Sequence, residues 1–193
     1  MHSDRLTAAA PPGEISAPSV EITAPAARHE LDLLVLEQLR LRALERLLFV
    51  QCGDGWAVEE AWRRVTRSYV CGVDTSPTLV ARAAALRGVP GKVEFDSWDG
   101  CRLPLADGSF DWVVSRFAFE QCSEPDTLLR EIRRVLRGGG ELYLLEVGHD
   151  AGARGAVELQ ALLGHAGFVG VAEPALKEMR DGGLILRAQR SPG

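Results

Sequence analysis

What this sequence lacks excludes several classes of protein. No apolar run approaches the roughly 18 residues that a membrane-spanning helix needs. The N-terminus also lacks the charged-then-apolar order of a secretion signal, so we expect a soluble, cytoplasmic protein. Basic residues are nearly all arginine, scattered singly among acids, and the formal net charge is −5. This pattern offers no concentrated patch for a phosphate backbone and argues against nucleic acid as a partner.

Cysteine is also scarce. The four cysteines are widely spaced, with no Cys-x-x-Cys pair and no histidine pair nearby, so neither a disulfide framework nor a metal site is predicted. We expect buried free thiols instead. The residues concerned are Cys52, Cys71, Cys101 and Cys122.

A chain of 193 residues that is 46% hydrophobic can fill one core but is short for two. Residues 1–27 are rich in Ala, Pro, Ser and Thr and have little to bury, which predicts a disordered tail, with a flap over bound ligand as the alternative. Residues 28–193 are predicted to form one domain. Its first element is a helix over 28–46 with a wide apolar face. This helix either packs on a sheet or makes a dimer seam, and the sequence leaves both open.

The most informative stretch reads strand, glycine turn, helix, strand, acid. Leu47 to Val50 has the length of a buried parallel strand, and Gly53 and Gly55 follow where the chain must turn into a helix. Asp74 ends the next strand, where a carboxylate can accept hydrogen bonds from a ribose. The pattern is typical of a site for an adenosine-containing cofactor.

Strands and helices alternate along the rest of the chain, which predicts an α/β fold with a doubly wound, mostly parallel sheet of seven strands. Residues 174–183 are too short for a crossover helix, so strand seven should run antiparallel. Asp96 to Gly100 are predicted to form a polar loop. Gly138 to Gly140 are predicted to end the fourth helix. Predicted helices after the first cover 56–65, 77–87, 124–137 and 157–166, and predicted strands cover 47–50, 69–73, 93–95, 110–115, 141–147, 168–171 and 184–188.

Two collinear segments carry a resemblance to a known family. Residues 99–111 and 128–140 resemble the fourth-strand region of class I S-adenosylmethionine-dependent methyltransferases, in particular the group that includes ubiquinone and menaquinone biosynthetic enzymes. The resemblance covers about residues 47–190. It implies a Rossmann-like sheet of order 3-2-1-4-5-7-6 and S-adenosylmethionine as the cofactor, bound over the carboxyl ends of strands one, two and four.

The same resemblance implies a role for each motif residue. All of them follow strands whose carboxyl ends form the crevice of such sheets. The implied roles are Gly53 and Gly55 beside the methionine and ribose, Asp74 on the ribose hydroxyls, Asp99 on the adenine amino group, Thr75 and Gly100 against the adenine ring, and Ser115 to Phe117 at the methionine end. Arg116 either holds a carboxylate there or is a solvated arginine.

The first motif departs from the family pattern of acid-apolar-Gly-x-Gly-x-Gly. Phe49 stands in place of the acid and Gln51 in place of the first glycine. A hydrogen bond to a charged group contributes roughly 1.5–3 kcal/mol, so the missing acid is expected to weaken cofactor binding unless it is replaced. The Gln51 amide can itself bind the ligand. Trp56 either adds bulk beside the site or packs in the core.

Methyl transfer depends on positioning, so catalytic groups are hard to read from a sequence. His149 and Glu120, just past strands five and four, are the candidate general bases, with an exposed loop histidine and a loop-holding carboxylate as alternatives. The segments 148–155 and 174–183 are short. The acceptor site is therefore predicted to be open or completed by another chain, as in a homodimer or with a protein partner.

Two functions remain open from the sequence. The first is methyl transfer from S-adenosylmethionine to a small-molecule acceptor, and the second is a catalytically inactive, methyltransferase-like binding or assembly protein. A nicotinamide-dependent oxidoreductase is disfavoured, because Val58 occupies the position of the third small residue in its glycine motif.

Overall fold

The computed structural model describes residues 25–119, 122, 124–147, 153–173 and 183–192. Helices and strands alternate through these residues in the predicted way. The helices are α1 (Pro25–Gln38), α2 (Trp56–Arg64), α3 (Pro77–Arg87), α4 (Pro125–Val135) and α5 (Ala153–His165). The strands are β1 (Arg46–Val50), β2 (Tyr69–Asp74), β3 (Val93–Ser97), β4 (Phe110–Arg116), β5 (Leu136–Val147), β6 (Phe168–Ala172) and β7 (Gly183–Arg190).

The strands form one sheet of order β3-β2-β1-β4-β5-β7-β6. β1 lies parallel between β2 and β4, and β7 pairs antiparallel with both β5 and β6. The predicted order and the predicted direction of strand seven are both confirmed. The carboxyl ends of β1, β2 and β4 consequently lie side by side at one edge of the sheet.

Apolar side chains cover both faces of this sheet. On one face β1 and β4 pack against α1 and α2, and on the other they pack against α4 and α5. Phe49 belongs to the first face and is 1% exposed. A phenylalanine therefore occupies the family's acid position because its side chain fills the core under α1 and α2.

The first helix differs from its prediction at both ends. It begins at Pro25, inside the predicted tail, and ends at Gln38, so Arg46 starts β1 instead of ending the helix. Leu44 has a left-handed φ of 76°, which a helix cannot continue through. α1 packs on the sheet: Leu31 is 3% exposed, and a Cβ placed on Gly183 of β7 would lie 2.9 Å from its Cδ2. The tail prediction for residues 1–24 lies outside the described residues.

The three consecutive glycines do not stop a helix, contrary to the prediction. α4 ends at Val135 and β5 begins at Leu136, so the glycines lie within the strand. The β4–β5 register shifts beside them, and Gly139 has a φ of 77°. Small residues permit such an irregularity. β3 likewise extends through Asp96 and Ser97, which were predicted as loop, and α5 begins at Ala153.

The cysteines are not uniformly buried. Cys52 and Cys71 are, and burial raises the pKa of each thiol to about 12. Cys101 is exposed and Cys122 half-buried, which corrects the expectation for these two. Within the described ranges no helix is both long and apolar enough to cross a membrane.

Candidate cofactor site

A tight glycine turn joins β1 to α2 at the carboxyl edge of the sheet. Gly53 and Gly55 have left-handed φ values of 60° and 78°, and Gly55 is the N-cap of α2. A Cβ on Gly55 would lie 2.6 Å from the Phe95 ring, so only glycine fits there. A Cβ on Gly53 would meet nothing closer than 3.8 Å, where Arg116 Nη1 lies. The turn thus leaves room for a ligand beside Gly53.

Asp74 ties the end of β2 to this turn. Its Oδ2 accepts a hydrogen bond from the Gly53 N–H at 2.8 Å, and its Oδ1 accepts one from the Ser76 N–H at 2.9 Å. The side chain is 6% exposed. A carboxylate oxygen has capacity for more than one donor, so the geometry still admits a ligand hydroxyl.

Gln51 is strained and contacts protein groups. Its φ is 59°, in the region where a side chain is disfavoured and where the family pattern has glycine. Its Oε1 accepts from the Thr75 N–H at 3.4 Å, and its carbonyl oxygen accepts from Arg116 Nη1 at 2.8 Å. Gln51 therefore links the ends of β1, β2 and β4 around the turn.

Arg116 is held by a carboxylate that the sequence did not indicate. Its Nε and Nη2 donate to Asp32 of α1 at 2.6 and 2.5 Å in a bidentate pair. The side chains are 13% and 4% exposed, so the alternative of a solvated arginine is wrong. The available signal was an acid, Asp32, set among the leucines of an otherwise apolar helical stretch.

Helix α1 borders the glycine turn through further contacts. The Arg28 guanidinium lies 4.9 Å from the centre of the Phe117 ring, and the His29 ring lies 4.2 Å from that of Trp56. Trp56 packs against the core beneath α1 and α2, in agreement with the second of its two interpretations. Together with Asp32, these contacts make α1 one wall of the methionine end of the predicted site.

Thr75, Gly100 and Asp99 form the predicted adenine side of the site. Gly100 has a φ of 83°, and a Cβ placed on it would lie 3.9 Å from Thr75 Cγ2. Asp99 is exposed and accepts the N–H groups of Cys101 and Arg102 on Oδ1, both at 2.8 Å. These two bonds, that from Arg102 first, hold the pKa of the carboxyl below its ordinary value. Oδ2 has no hydrogen-bond partner among the described residues.

Of the remaining predicted site residues, one is buried in the core and two lie outside the described residues. Ser115 is fully buried, and its Oγ has no hydrogen-bond partner within the described part of the chain. His149 and Glu120 lie outside the described residues. A second acid missed by the sequence interpretation is Glu146, 5% exposed near the end of β5, whose Oε1 accepts the Phe119 N–H at 3.3 Å.

The residues present suit an adenosine-bearing ligand with an amino-acid tail. A buried acid ends β2, an ionised exposed acid follows β3, and the turn after β1 has open space at Gly53. Carboxylates accept from hydroxyl and amino groups, and an arginine beside the turn can donate to a ligand carboxylate. The sheet order and these groups define a class I S-adenosylmethionine-dependent methyltransferase fold.

Comparison with known proteins places the chain within that class. Residues 48–144 match the methyltransferase domain family, and the chain belongs to this family, whose cofactor is S-adenosylmethionine. It is 34% identical over 108 residues to a demethylmenaquinone methyltransferase of Thermus thermophilus, covering 54% of this chain and 48% of that protein. It is 33% identical over 150 residues to an uncharacterized 37.1 kDa protein in transposon TN4556 of Streptomyces fradiae, covering 77% and 43%.

The chain thus spans less than half the length of these two relatives. Among solved structures, the crystal structure of the [4+2]-cyclase SpnF superposes with a TM-score of 0.70 at 25% identity, covering 85% of this chain and 82% of that one. A protein described as a cyclase therefore shares the fold. Family and fold are established by these matches, while the activity has to be argued from the site.

Proposed function

We propose that this protein transfers a methyl group from S-adenosylmethionine to a small-molecule acceptor. The observation that carries the proposal is the Asp74 carboxylate, which holds the Gly53 N–H at 2.8 Å and so fixes the glycine turn against the end of β2. This places an acid and an open glycine together where adenosine-containing ligands bind in such sheets.

Each proposed cofactor contact has a chemical reason. Asp74 accepts from the ribose hydroxyls, and Asp99 accepts from the adenine amino group through Oδ2. Thr75 and Gly100 flank the adenine ring, while Gly53, Gly55 and Gln51 line the ribose and methionine side. Arg116 completes the methionine end, and the fully buried Ser115 precedes it in β4.

The cofactor supplies an activated methyl group on its sulfonium, and the residues of the chain hold the reacting groups in position. In-line displacement gains most of its acceleration from holding the reacting groups in place. An oxygen acceptor would also benefit from a base that takes its proton. His149 and Glu120 remain our candidates for that role, because both follow strands that end at the cofactor edge.

A small-molecule acceptor is supported by the relative whose name specifies one, the demethylmenaquinone methyltransferase. The short segments after β5 and β6 favour an acceptor site that is open or completed by a second chain. The alternative of an inactive binding protein rests on Phe49, Gln51 and the short segments that leave the acceptor site uncovered. Phe49 has a structural explanation in the core, and the comparisons lend the alternative no support.

Calorimetric titration of the full chain with S-adenosylmethionine and S-adenosylhomocysteine tests the proposal. We expect micromolar binding that Asp74→Ala abolishes. Because Asp74 also holds the turn, Asp99→Ala serves as a second variant: its carboxylate is exposed, so its loss should lower affinity at least about ten-fold without unfolding the protein. Asp126→Ala, an exposed acid of α4, is the matched control and should bind normally.

The possible results separate the two functions. Binding lost in the site variants and kept in the control establishes the cofactor site. Transfer of a labelled methyl group to candidate acceptors, with and without the His149→Ala and Glu120→Ala changes, then tests catalysis. Absence of heat at millimolar ligand, from protein shown to be folded by circular dichroism, would contradict the proposal.

A further inference from the structure

An arginine-lined cavity lies at the sheet edge opposite to the glycine turn. It has a volume of about 630 Å³ and lies where β4 and β5 begin and β7 ends. Four of its arginines come from residues 130–137 and the fifth from the end of β7, which corrects the expectation that basic residues form no patch. They are Arg130, Arg133, Arg134, Arg137 and Arg190.

Three of these arginines have structural partners. Arg134 donates to Glu131 and Asp107 and to the carbonyl oxygens of Leu103 and Leu105, fixing the loop before β4 on α4. Arg137 pairs with Asp111. Arg190 donates to carbonyl oxygens at the end of α4, including that of Arg133 at 2.9 Å, and so caps this helix.

The other two arginines, like Arg190, have no acidic partner among the described residues. Arg130 donates to the neutral Thr127 hydroxyl at 3.2 Å. Arg133 lines the cavity and packs against Gly167, where a Cβ would lie 3.0 Å from its Nε. That Nε is buried without a hydrogen-bond partner within the described ranges. Around the cavity, the described residues thus provide five guanidinium groups and three carboxylates, those of Asp107, Asp111 and Glu131. The excess is two positive charges.

We propose that this cavity binds the phosphate group of a small phosphate monoester. Such a group carries about −1.5 to −2 charges at pH 7, which matches the excess. Guanidinium groups donate to phosphate oxygens in pairs and are weakly hydrated, so arginine suits this role. The volume lies within the roughly 300–1,000 Å³ of small-molecule sites, so it admits the organic part of the ester as well as the phosphate.

Calorimetry on the full chain at constant ionic strength tests this site without involving the cofactor. The probes are glucose 6-phosphate, inorganic phosphate and glucose. We expect sub-millimolar binding of glucose 6-phosphate and none of glucose. Arg133→Gln and Arg130→Gln should each weaken phosphate binding at least about ten-fold, because each removes a charged donor. Arg130 is exposed, so its variant keeps the test valid if Arg133→Gln unfolds.

The matched control is Arg63→Gln on α2, whose side chain is 63% exposed and paired with Glu59. It should leave the affinity unchanged. Inorganic phosphate binding as tightly as the ester would support the phosphate site and identify free phosphate as its ligand. No binding of either phosphate up to about 10 mM, or equal weakening by all three variants, would overturn the proposal.

Discussion

Arg116 at the end of β4 and Asp32 in α1 form a bidentate ion pair, although 84 positions separate them in the chain. Arg116 also donates to the carbonyl oxygen of Gln51, so one guanidinium joins the first helix to the glycine turn. Removing one member of a buried pair leaves an uncompensated charge. This relationship makes the N-terminal helix part of the candidate site.

The pair yields a stability prediction. Arg116→Gln or Asp32→Asn alone should lower the free energy of unfolding by about 3–5 kcal/mol, since each leaves the partner charge buried. The double variant, which leaves neither charge of this pair buried, should lose less than either single variant. Urea denaturation of all four proteins gives the coupling. Strictly additive losses would contradict the prediction.

The same double variant tests what Arg116 does for a ligand. If its remaining N–H groups donate to the cofactor's carboxylate, S-adenosylhomocysteine should bind about ten-fold more weakly to the variant. 5′-Methylthioadenosine, which has no amino-acid carboxylate, should bind both proteins equally. Calorimetry measures both ligands. Equal weakening of the two would mean that the pair only supports the turn.

Gln51 is a position where the family's glycine should be favourable. Its φ of 59° costs a side chain about 1 kcal/mol or more. Gln51→Gly should therefore raise the free energy of unfolding by up to about 1 kcal/mol, despite losing the long 3.4 Å bond from the Thr75 N–H. Gln51→Ala, which keeps the strain and loses the bond, is the control. A Gly variant less stable than the Ala variant would contradict this account.

Two glycines with similar backbone angles should respond differently to alanine. Gly55 and Gly91 have φ values of 78° and 69°. A Cβ on Gly55 meets the Phe95 ring at 2.6 Å and Ala83 at 3.0 Å, whereas one on Gly91 meets nothing within 4 Å. Gly55→Ala should thus add overpacking of about 1–3 kcal/mol to the strain that both variants carry. Thermal unfolding compares them, and equal losses would show that packing at Gly55 is irrelevant.

The alternation of strands and helices was predictable because each β-α unit has its own local signal, whereas the strand order followed from the resemblance to the family. Leu47 to Val50, the turn glycines and Asp74 follow one another in sequence, and the parallel arrangement brings their ends together. Asp74 and Gly53 are 21 positions apart, and their contact follows from the pattern of one such unit. Consecutive elements of a regular fold are therefore readable from sequence.

Contacts between elements that are far apart in the sequence could not be predicted in this way. Asp32 lies in a leucine-rich helix, and nothing in the neighbouring sequence points to Arg116. The end of α1 was missed because apolar residues continue past Gln38 into β1. The arginine cavity is similar only in part: four of its arginines lie within residues 130–137, but the loop before β4 and the last residue of β7 join them only in the fold.

The hydrogen bonds of Glu131 predict how the free energy of unfolding depends on pH. Its carboxylate accepts from Arg134 at 2.7 and 2.8 Å and from the Leu103 N–H at 2.9 Å. These bonds, those from Arg134 first, hold its pKa below the ordinary value in the folded protein. A depressed folded pKa means that the ionised carboxylate stabilises the fold above its unfolded pKa of 4.5, and that this stabilisation is lost as pH falls through the folded pKa.

Glu131→Gln should therefore destabilise the protein by about 1–2 kcal/mol at pH 7, with the difference shrinking below about pH 4.5. Urea denaturation of both proteins across this range measures the effect. Glu60→Gln is the control: its pair with Arg64 is exposed, and its loss should cost less than about 0.5 kcal/mol at every pH. A Glu131 effect that persists unchanged at pH 3 would mean that packing of the side chain, and not its charge, holds the loop before β4 on α4.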